Sequence, residues 1–211
     1  MIKISILFSG RGSNAYSILK FILDNKLKFE VDNIICSNNE AEGIKVISKL
    51  NFNVKIIDKK SFVSNDKYNS DLIKILNPKK NSLLLLCGYM NKVPENIIKS
   101  YNGNIINIHP SLLPKYKGLY THDKVIVNKD LYHGCTTHYV TNDIDCGPLI
   151  AQYKIPVNRT DDSTSVAKRL LAVEHILYYK TLKMIENKDI KLENNKVYYK
   201  NNILDDPIFF S

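Results

Sequence analysis

The stretch Met1-Ile2-Lys3-Ile4-Ser5-Ile6-Leu7-Phe8-Ser9-Gly10-Arg11-Gly12-Ser13-Asn14 decides the fold class. Ile4 to Phe8 is a short apolar run that reads as a strand, and Ala15, Ile18, Leu19 and Ile22 recur at the spacing of one buried helical face. Between them a glycine turn leaves the first strand and opens the first helix. The alternation continues outward. Val31 to Cys36, Val54 to Ile57 and Ser82 to Cys87 read as strands, with helices at Glu40 to Leu50 and Asp66 to Leu76. Strands separated by helices join through right-handed crossovers and lie parallel, covered on both faces. Leu83-Leu84-Leu85-Leu86 has the unbroken apolar character such a strand requires. The expected class is α/β, a three-layer, Rossmann-like sheet that is mostly parallel in the N-terminal half.

Further along, Ile105 to Ile108 reads as a strand, Pro110 to Gly118 as a Pro-rich loop, and Thr136 to Val140 and Leu149 to Ile155 as two more strands. A long helix is expected from about Ser163 to Glu186, with Val166, Leu170, Val173 and Leu177 as its apolar stripe. Asp161, Asp162 and Ser163 supply capping groups and charge suited to its N-terminus. From about residue 187 the chain is a polar, Asn- and Lys-rich tail with one expected strand, Val197 to Tyr199. No repeat or linker divides the 211 residues, so a single domain, 1–211, is expected.

Composition excludes several classes. A hydrophobic content of 44% with 24% charged residues is that of a globular chain, and no apolar run reaches membrane-spanning length. The first apolar run is too short for a signal-peptide core and lacks a cleavage site, so a cytoplasmic protein is expected. Cys36, Cys87, Cys135 and Cys146 show neither metal-ligand nor disulfide spacing; reduced thiols and no metal are expected. The net charge of +9 comes from dispersed lysines without an arginine-rich stripe or interleaved aromatics, which argues against a nucleic-acid partner.

Two constellations carry chemistry. At Ser9 to Asn14 the unpaired N–H groups and dipole of a helix N-terminus attract an anion. A dinucleotide reading of the glycines lacks its acidic ribose partner, because the second strand ends Cys36-Ser37-Asn38-Asn39. Ser13 and Asn14 add a hydroxyl and an amide, a set better matched to one terminal phosphate; the alternative is a glycine turn needed only for close packing. The second constellation is Asn107-Ile108-His109-Pro110, at the carboxyl end of a strand, where parallel sheets bind ligands. Asn107 and His109 share one face of that strand, and Pro110 keeps His109 out of helical conformation. Asp145, in the turn Asp143-Ile144-Asp145-Cys146-Gly147, is expected to reach His109 from between two later strands. A carboxylate there would raise the imidazole pKa and fix the ring. His109 and the Asn107 amide would then form an oxyanion-stabilising pair suited to acyl transfer. Cys146, beside a carboxylate, reads as structural.

With these residues in view, the chain resembles the glycinamide ribonucleotide formyltransferases, a folate-dependent family of purine synthesis. The likeness rests on Ser9 to Asn14, Gly88-Tyr89-Met90, Asn107 to Tyr116, Gly118-Leu119-Tyr120-Thr121-His122, His133 to Pro148 and Glu174-His175. It implies the formyltransferase fold, with a mixed C-terminal sheet and a cis Leu113-Pro114 bond. It also implies direct formyl transfer from 10-formyltetrahydrofolate as co-substrate to the amine of glycinamide ribonucleotide, without a metal or covalent intermediate. By the same analogy Asn107 polarises the formyl oxygen, His109 donates a proton, and Asp145 supports His109 and relays a proton. Gly12, Ser13 and Asn14 would hold the phosphate, Glu174 the ribose hydroxyls, and Leu171, Ala172 and Val173 would line that site. The folate would lie along Asn65, Met90, Asn91, Lys92, Val93, Asn107 and the loop Thr141, Asn142, Asp143, Ile144 and Asp145. Asn65, Asn91, Lys92 and Asn142 depart from the residues common in the family, and Lys117 and Tyr179 stand where proline is usual. Small-molecule partners only are expected, with a monomer or weak homodimer. Transfer to methionyl-tRNA would need a C-terminal RNA-binding domain and folate hydrolysis an N-terminal regulatory one, and the chain has room for neither. Sugar-nucleotide formyltransferases would not be expected to carry Ser13-Asn14. A nucleotide-binding module without turnover is the rival from another class.

Overall fold

In the computed structural model, which describes residues 1–211, β1 (Ile2–Phe8) passes into α1 (Ser13–Leu23) through a turn whose Gly12 has φ +68°. Only glycine takes that left-handed conformation without strain. A second glycine, at the start of α2 (Glu42–Ser48), packs against the same turn: a Cβ on Gly43 would lie 2.8 Å from the Gly10 carbonyl oxygen and 2.9 Å from Gly12 Cα. Close backbone packing is therefore one reason for this glycine cluster.

Residues 1–106 form one compact unit and residues 107–211 another. In the first, β1 pairs in parallel with β2 (Phe29–Cys36) and β4 (Ser82–Leu86), and β2 with the two-residue β3 (Lys55–Ile56). Strand order is β3-β2-β1-β4. Every residue of β4 is buried, as its leucine run requires. Ile4, Ile6, Leu7 and Phe8 of β1 are 0% exposed, and each such side chain stabilises the fold by about 1.5–3 kcal/mol relative to exposure. α3 (Asn65–Leu76) is capped by Ser64, whose hydroxyl accepts the Lys67 N–H at 3.2 Å. α4 (Glu95–Ser100), at six residues, is too short to declare itself by periodicity.

β5 (Ile105–His109) runs from the first unit into the second. There it lies in the order β5-β6-β7-β11, with β6 (Tyr132–Tyr139) antiparallel to β7 (Leu149–Pro156) and β7 parallel to β11 (Ile208–Phe210). The sheet is thus parallel in the N-terminal half and mixed beyond it. α5 (Thr121–Val127) is another short helix without a sequence signal. α6 (Ser163–Glu186) has the expected limits, and its start is set by a capping box in which Asp162 accepts the Ser165 N–H at 2.7 Å and Ser165 Oγ accepts the Asp162 N–H at 3.0 Å. Asp161 instead holds Arg169 through both oxygens, at 2.6 and 2.8 Å. One stripe residue is corrected: Glu174, not Val173, lies on the buried face. The tail is more ordered than its composition implies. β8 (Ile190–Glu193), β9 (Lys196–Tyr199) and β10 (Asn202–Ile203) make a small antiparallel sheet before β11. No helix is long and apolar enough to cross a membrane.

Candidate active site

The site in the second unit starts with β5. Its alternation exposes Asn107 in part and buries Ile108, and His109 ends the strand at 5% exposure. The loop that follows turns back over the strand because buried polar groups fix it. Thr136 Oγ1 donates to the Ser111 carbonyl at 2.6 Å and accepts the Leu113 N–H at 3.1 Å. Gln152 Nε2 donates to the Leu113 carbonyl at 2.7 Å. Ser111, itself fully buried, donates to the Lys115 carbonyl at 2.6 Å. The Leu113-Pro114 bond is cis, as the resemblance implies.

This folding back brings two backbone groups to the side chains of interest. The Tyr116 carbonyl lies 2.9 Å from His109 Nε2, and the Gly118 N–H donates to Asp145 Oδ2 at 2.9 Å. Asp145 reaches His109, with Oδ2 3.3 Å from Nδ1. Asn107 is not on Asp145; its Nδ2 is 3.2 Å from Nε2 of His138, a residue of β6 that lies 3.6 Å from Asp145 Oδ1. Since His138 Nδ1 is 2.8 Å from the Tyr139 carbonyl, its proton sits on Nδ1 and its Nε2 accepts from Asn107. The carboxyl contact, at 3.6 Å, is too long for a hydrogen bond. The same reasoning puts the resident proton of His109 on Nε2, donated to Tyr116, which leaves Nδ1 as the nitrogen that exchanges a proton beside Asp145.

The expected rise in the His109 pKa is corrected. Burial depresses it, and this outweighs the Tyr116 carbonyl and the Asp145 charge, both of which favour the protonated ring. For Asp145, burial is the largest single influence and raises the pKa. The neighbouring His138 ring, the His109 charge and the Gly118 N–H together reverse it, so the carboxyl lies below its ordinary value.

The other residues expected at a site are described unit by unit. In the first, Ser13 and Asn14 begin α1, with Gly12 as its cap. Asn65 begins α3 and is exposed, as are Lys92 and Met90, whereas Val93 is buried. Ser9 Oγ accepts the Met90 N–H at 3.0 Å and meets Ser37 Oγ at 2.7 Å, and Ser37 accepts from Asn91 Nδ2 at 3.2 Å. In the second, Asn142, Asp143 and Ile144 are exposed and Thr141 is half-buried. Leu171 and Val173 are half-buried on α6, Ala172 exposed, and Glu174 buried. His138 is the residue that sequence reading missed. It lies on a strand buried along nearly its whole length, where no polar alternation marks a functional face.

Beside this cluster, His122 Nδ1 and His133 Nε2 are 2.9 Å apart, one donating to the other. His133 is 1% exposed, and burial followed by the neighbouring His122 lowers its pKa to about 4. An unfolded histidine titrates near 6.5, so the unfolded chain takes up a proton that the native state refuses. The stability tied to the neutral ring is complete above about pH 6.5 and is lost as pH falls towards about 4, by about 3 kcal/mol in all. Thermal melts between pH 7.5 and 4.5 are expected to show this loss, and His133→Gln to flatten it. An equally steep profile in the variant would assign the acid sensitivity elsewhere.

The cluster sets a carboxamide and an imidazole beside a carboxylate. The chain belongs to the formyl transferase family, whose sequence profile matches residues 2–182. Within it, the likeness is to the phosphoribosylglycinamide formyltransferases. The Escherichia coli (strain K12) enzyme of that name is 31% identical over 195 residues, 92% of each chain. The Coxiella burnetii phosphoribosylglycinamide formyltransferase superposes with a TM-score of 0.92 at 32% identity, covering 100% of this chain and 99% of that one. Glycinamide ribonucleotide transformylase 1 from Symbiobacterium toebii gives 0.88 at 29% identity, covering 94% of both.

Proposed function

We propose that this protein transfers the formyl group of 10-formyltetrahydrofolate directly to the amine of glycinamide ribonucleotide, in purine biosynthesis. The observation that carries the reading is the buried approach of His109 Nδ1 to Asp145 Oδ2, 3.3 Å, beside the Asn107 carboxamide. As the amine adds to the formyl carbon, negative charge grows on the formyl oxygen. Asn107 uses one amide N–H on His138 and has a second to give to that oxygen. Protonated His109 supplies the other donor through Nδ1. A ring with a depressed pKa holds this proton weakly, which suits a group that must release it. Asp145 is the counter-charge that allows the ring to be protonated at all, and it relays the proton lost by the amine to the departing folate nitrogen.

Gly12, Ser13 and Asn14 bind the ribonucleotide phosphate in this reading, Glu174 the ribose hydroxyls, and Leu171 to Val173 line the same substrate. Asn65, Met90 to Val93 and Thr141 to Asp145 bind the folate. The partners are these small molecules, the protein works in the cytoplasm as a monomer or weak homodimer, and the chemistry needs no metal. Purified protein mixed with both substrates is expected to consume the formyl donor only when the amine is present. Formate release without the amine would make it a hydrolase, and binding without turnover a non-catalytic module.

A further inference from the structure

His109 and Asp145 each depend on a backbone group, the Tyr116 carbonyl and the Gly118 N–H, and these stand on either side of Lys117. The Lys117 side chain is exposed, yet its ammonium donates to Cys146 Sγ at 2.9 Å. Cys146 follows Asp145 directly. Its own thiol donates to the Ile144 carbonyl at 3.1 Å, which turns a sulfur lone pair towards the lysine. A chain of two hydrogen bonds therefore runs from the loop that holds His109 to the turn that holds Asp145.

The backbone at this junction needs such support. Tyr116, Gly118 and Asp145 all have left-handed φ, +56°, +76° and +50°, and for the two non-glycines that conformation is maintained only by surrounding contacts. Tyr116 is anchored on its other side, where its hydroxyl accepts from Asn128 Nδ2 at 2.8 Å. The Asp145 turn has less. Thr141 bonds within it, to the Asp143 carbonyl at 3.4 Å, so Gly118 and Lys117 are its polar ties to the loop.

We propose that Lys117 and Cys146 form a clasp that fixes the loop against the Asp145 turn and so positions the His109–Asp145 pair. Both are positioning residues, and the inference rests on reading that pair as the reacting centre. Neither side chain belongs to the donors or the relay, so opening the clasp acts on the geometry of transfer and on the turn assigned to the folate, and spares the ribonucleotide site. Because the two form one contact, they act as a unit.

The test compares Lys117→Ala, Cys146→Ala, their combination and Cys146→Ser, whose hydroxyl can still accept from the lysine and donate to Ile144. Each alanine variant is expected to lower kcat about three- to tenfold, with KM for the ribonucleotide within about twofold. The double variant is no worse than the poorer single one, and the serine variant recovers most of the rate. NMR titration of His109 in the free protein gives a second readout, which does not depend on what reaction is catalysed. A loosened loop admits water to the ring, so its midpoint moves up towards an ordinary imidazole in both alanine variants. The ring's charged and titratable neighbours Asp145, His138, His133 and Lys124 are retained in every variant. Multiplicative losses, an unmoved His109 midpoint, or failure of Cys146→Ser to recover the rate would overturn the clasp. Absence of formyl transfer in the unaltered protein would instead overturn the proposed reaction, and the titration would still decide whether the clasp exists.

Discussion

Asp145→Asn is expected to lower kcat about a thousand-fold, within the range for loss of acid–base catalysis, while KM for the ribonucleotide stays within about threefold. Asparagine matches the shape of aspartate, and its amide oxygen can still accept the Gly118 N–H that now bonds Asp145 at 2.9 Å. What disappears is the charge. Burial already depresses the His109 pKa, with Asp145 opposing it. Removing the carboxylate takes away that opposition, so the ring is protonated still less at neutral pH. The proton donor to the formyl oxygen and the relay from the amine fail together. Steady-state kinetics with each substrate varied will separate these effects. A loss of less than tenfold, or a rise in ribonucleotide KM comparable to the fall in kcat, would remove Asp145 from proton transfer.

Much of this centre was legible in the chain, for identifiable reasons. Asn107 and His109 share a strand face because side chains alternate, and Pro110 marks where the strand ends. The start of α6 followed from its capping residues, which act locally. Elsewhere the deciding physics was not local. Val173 and Glu174 are adjacent on α6, and which one faces inward depends on packing that periodicity does not resolve. The sign of the His109 shift depends on weighing burial against a nearby charge, and a sequence shows the charge without the burial. In the tail, strands of two to four residues are separated by asparagine- and lysine-rich turns with positive φ at Asn194, Asn195, Lys200 and Asn201. Such short segments carry no period to read, and β11 is stabilised by pairing with a strand more than fifty residues earlier.

The same turn that carries Asp145 contains the position least tolerant of added volume. A Cβ on Gly147 would fall on the Tyr139 carbonyl oxygen and lie 2.8 Å from its carbonyl carbon. Both are backbone atoms of β6, and the strand is held there by the Tyr139 N–H donating to the Pro148 carbonyl at 2.9 Å. A flexible side chain could move aside; this backbone can do so only by breaking its pairing. Gly147→Ala is therefore expected to cost about 3 kcal/mol or more, a fall in Tm of about 6–12 °C for a chain of this size. The displaced turn would also carry Asp145 away from His109, so activity should fall in whatever fraction folds. Two other glycines separate the causes. Gly118 has φ +76° but open space around a Cβ, so Gly118→Ala tests conformational strain alone, at about 1 kcal/mol. Gly10 has neither a collision nor a positive φ, and Gly10→Ala should leave Tm nearly unchanged. If thermal melts rank the three in any other order, with Gly147 no worse than Gly118, then close approach of the β6 backbone is not what fixes the Asp145 turn.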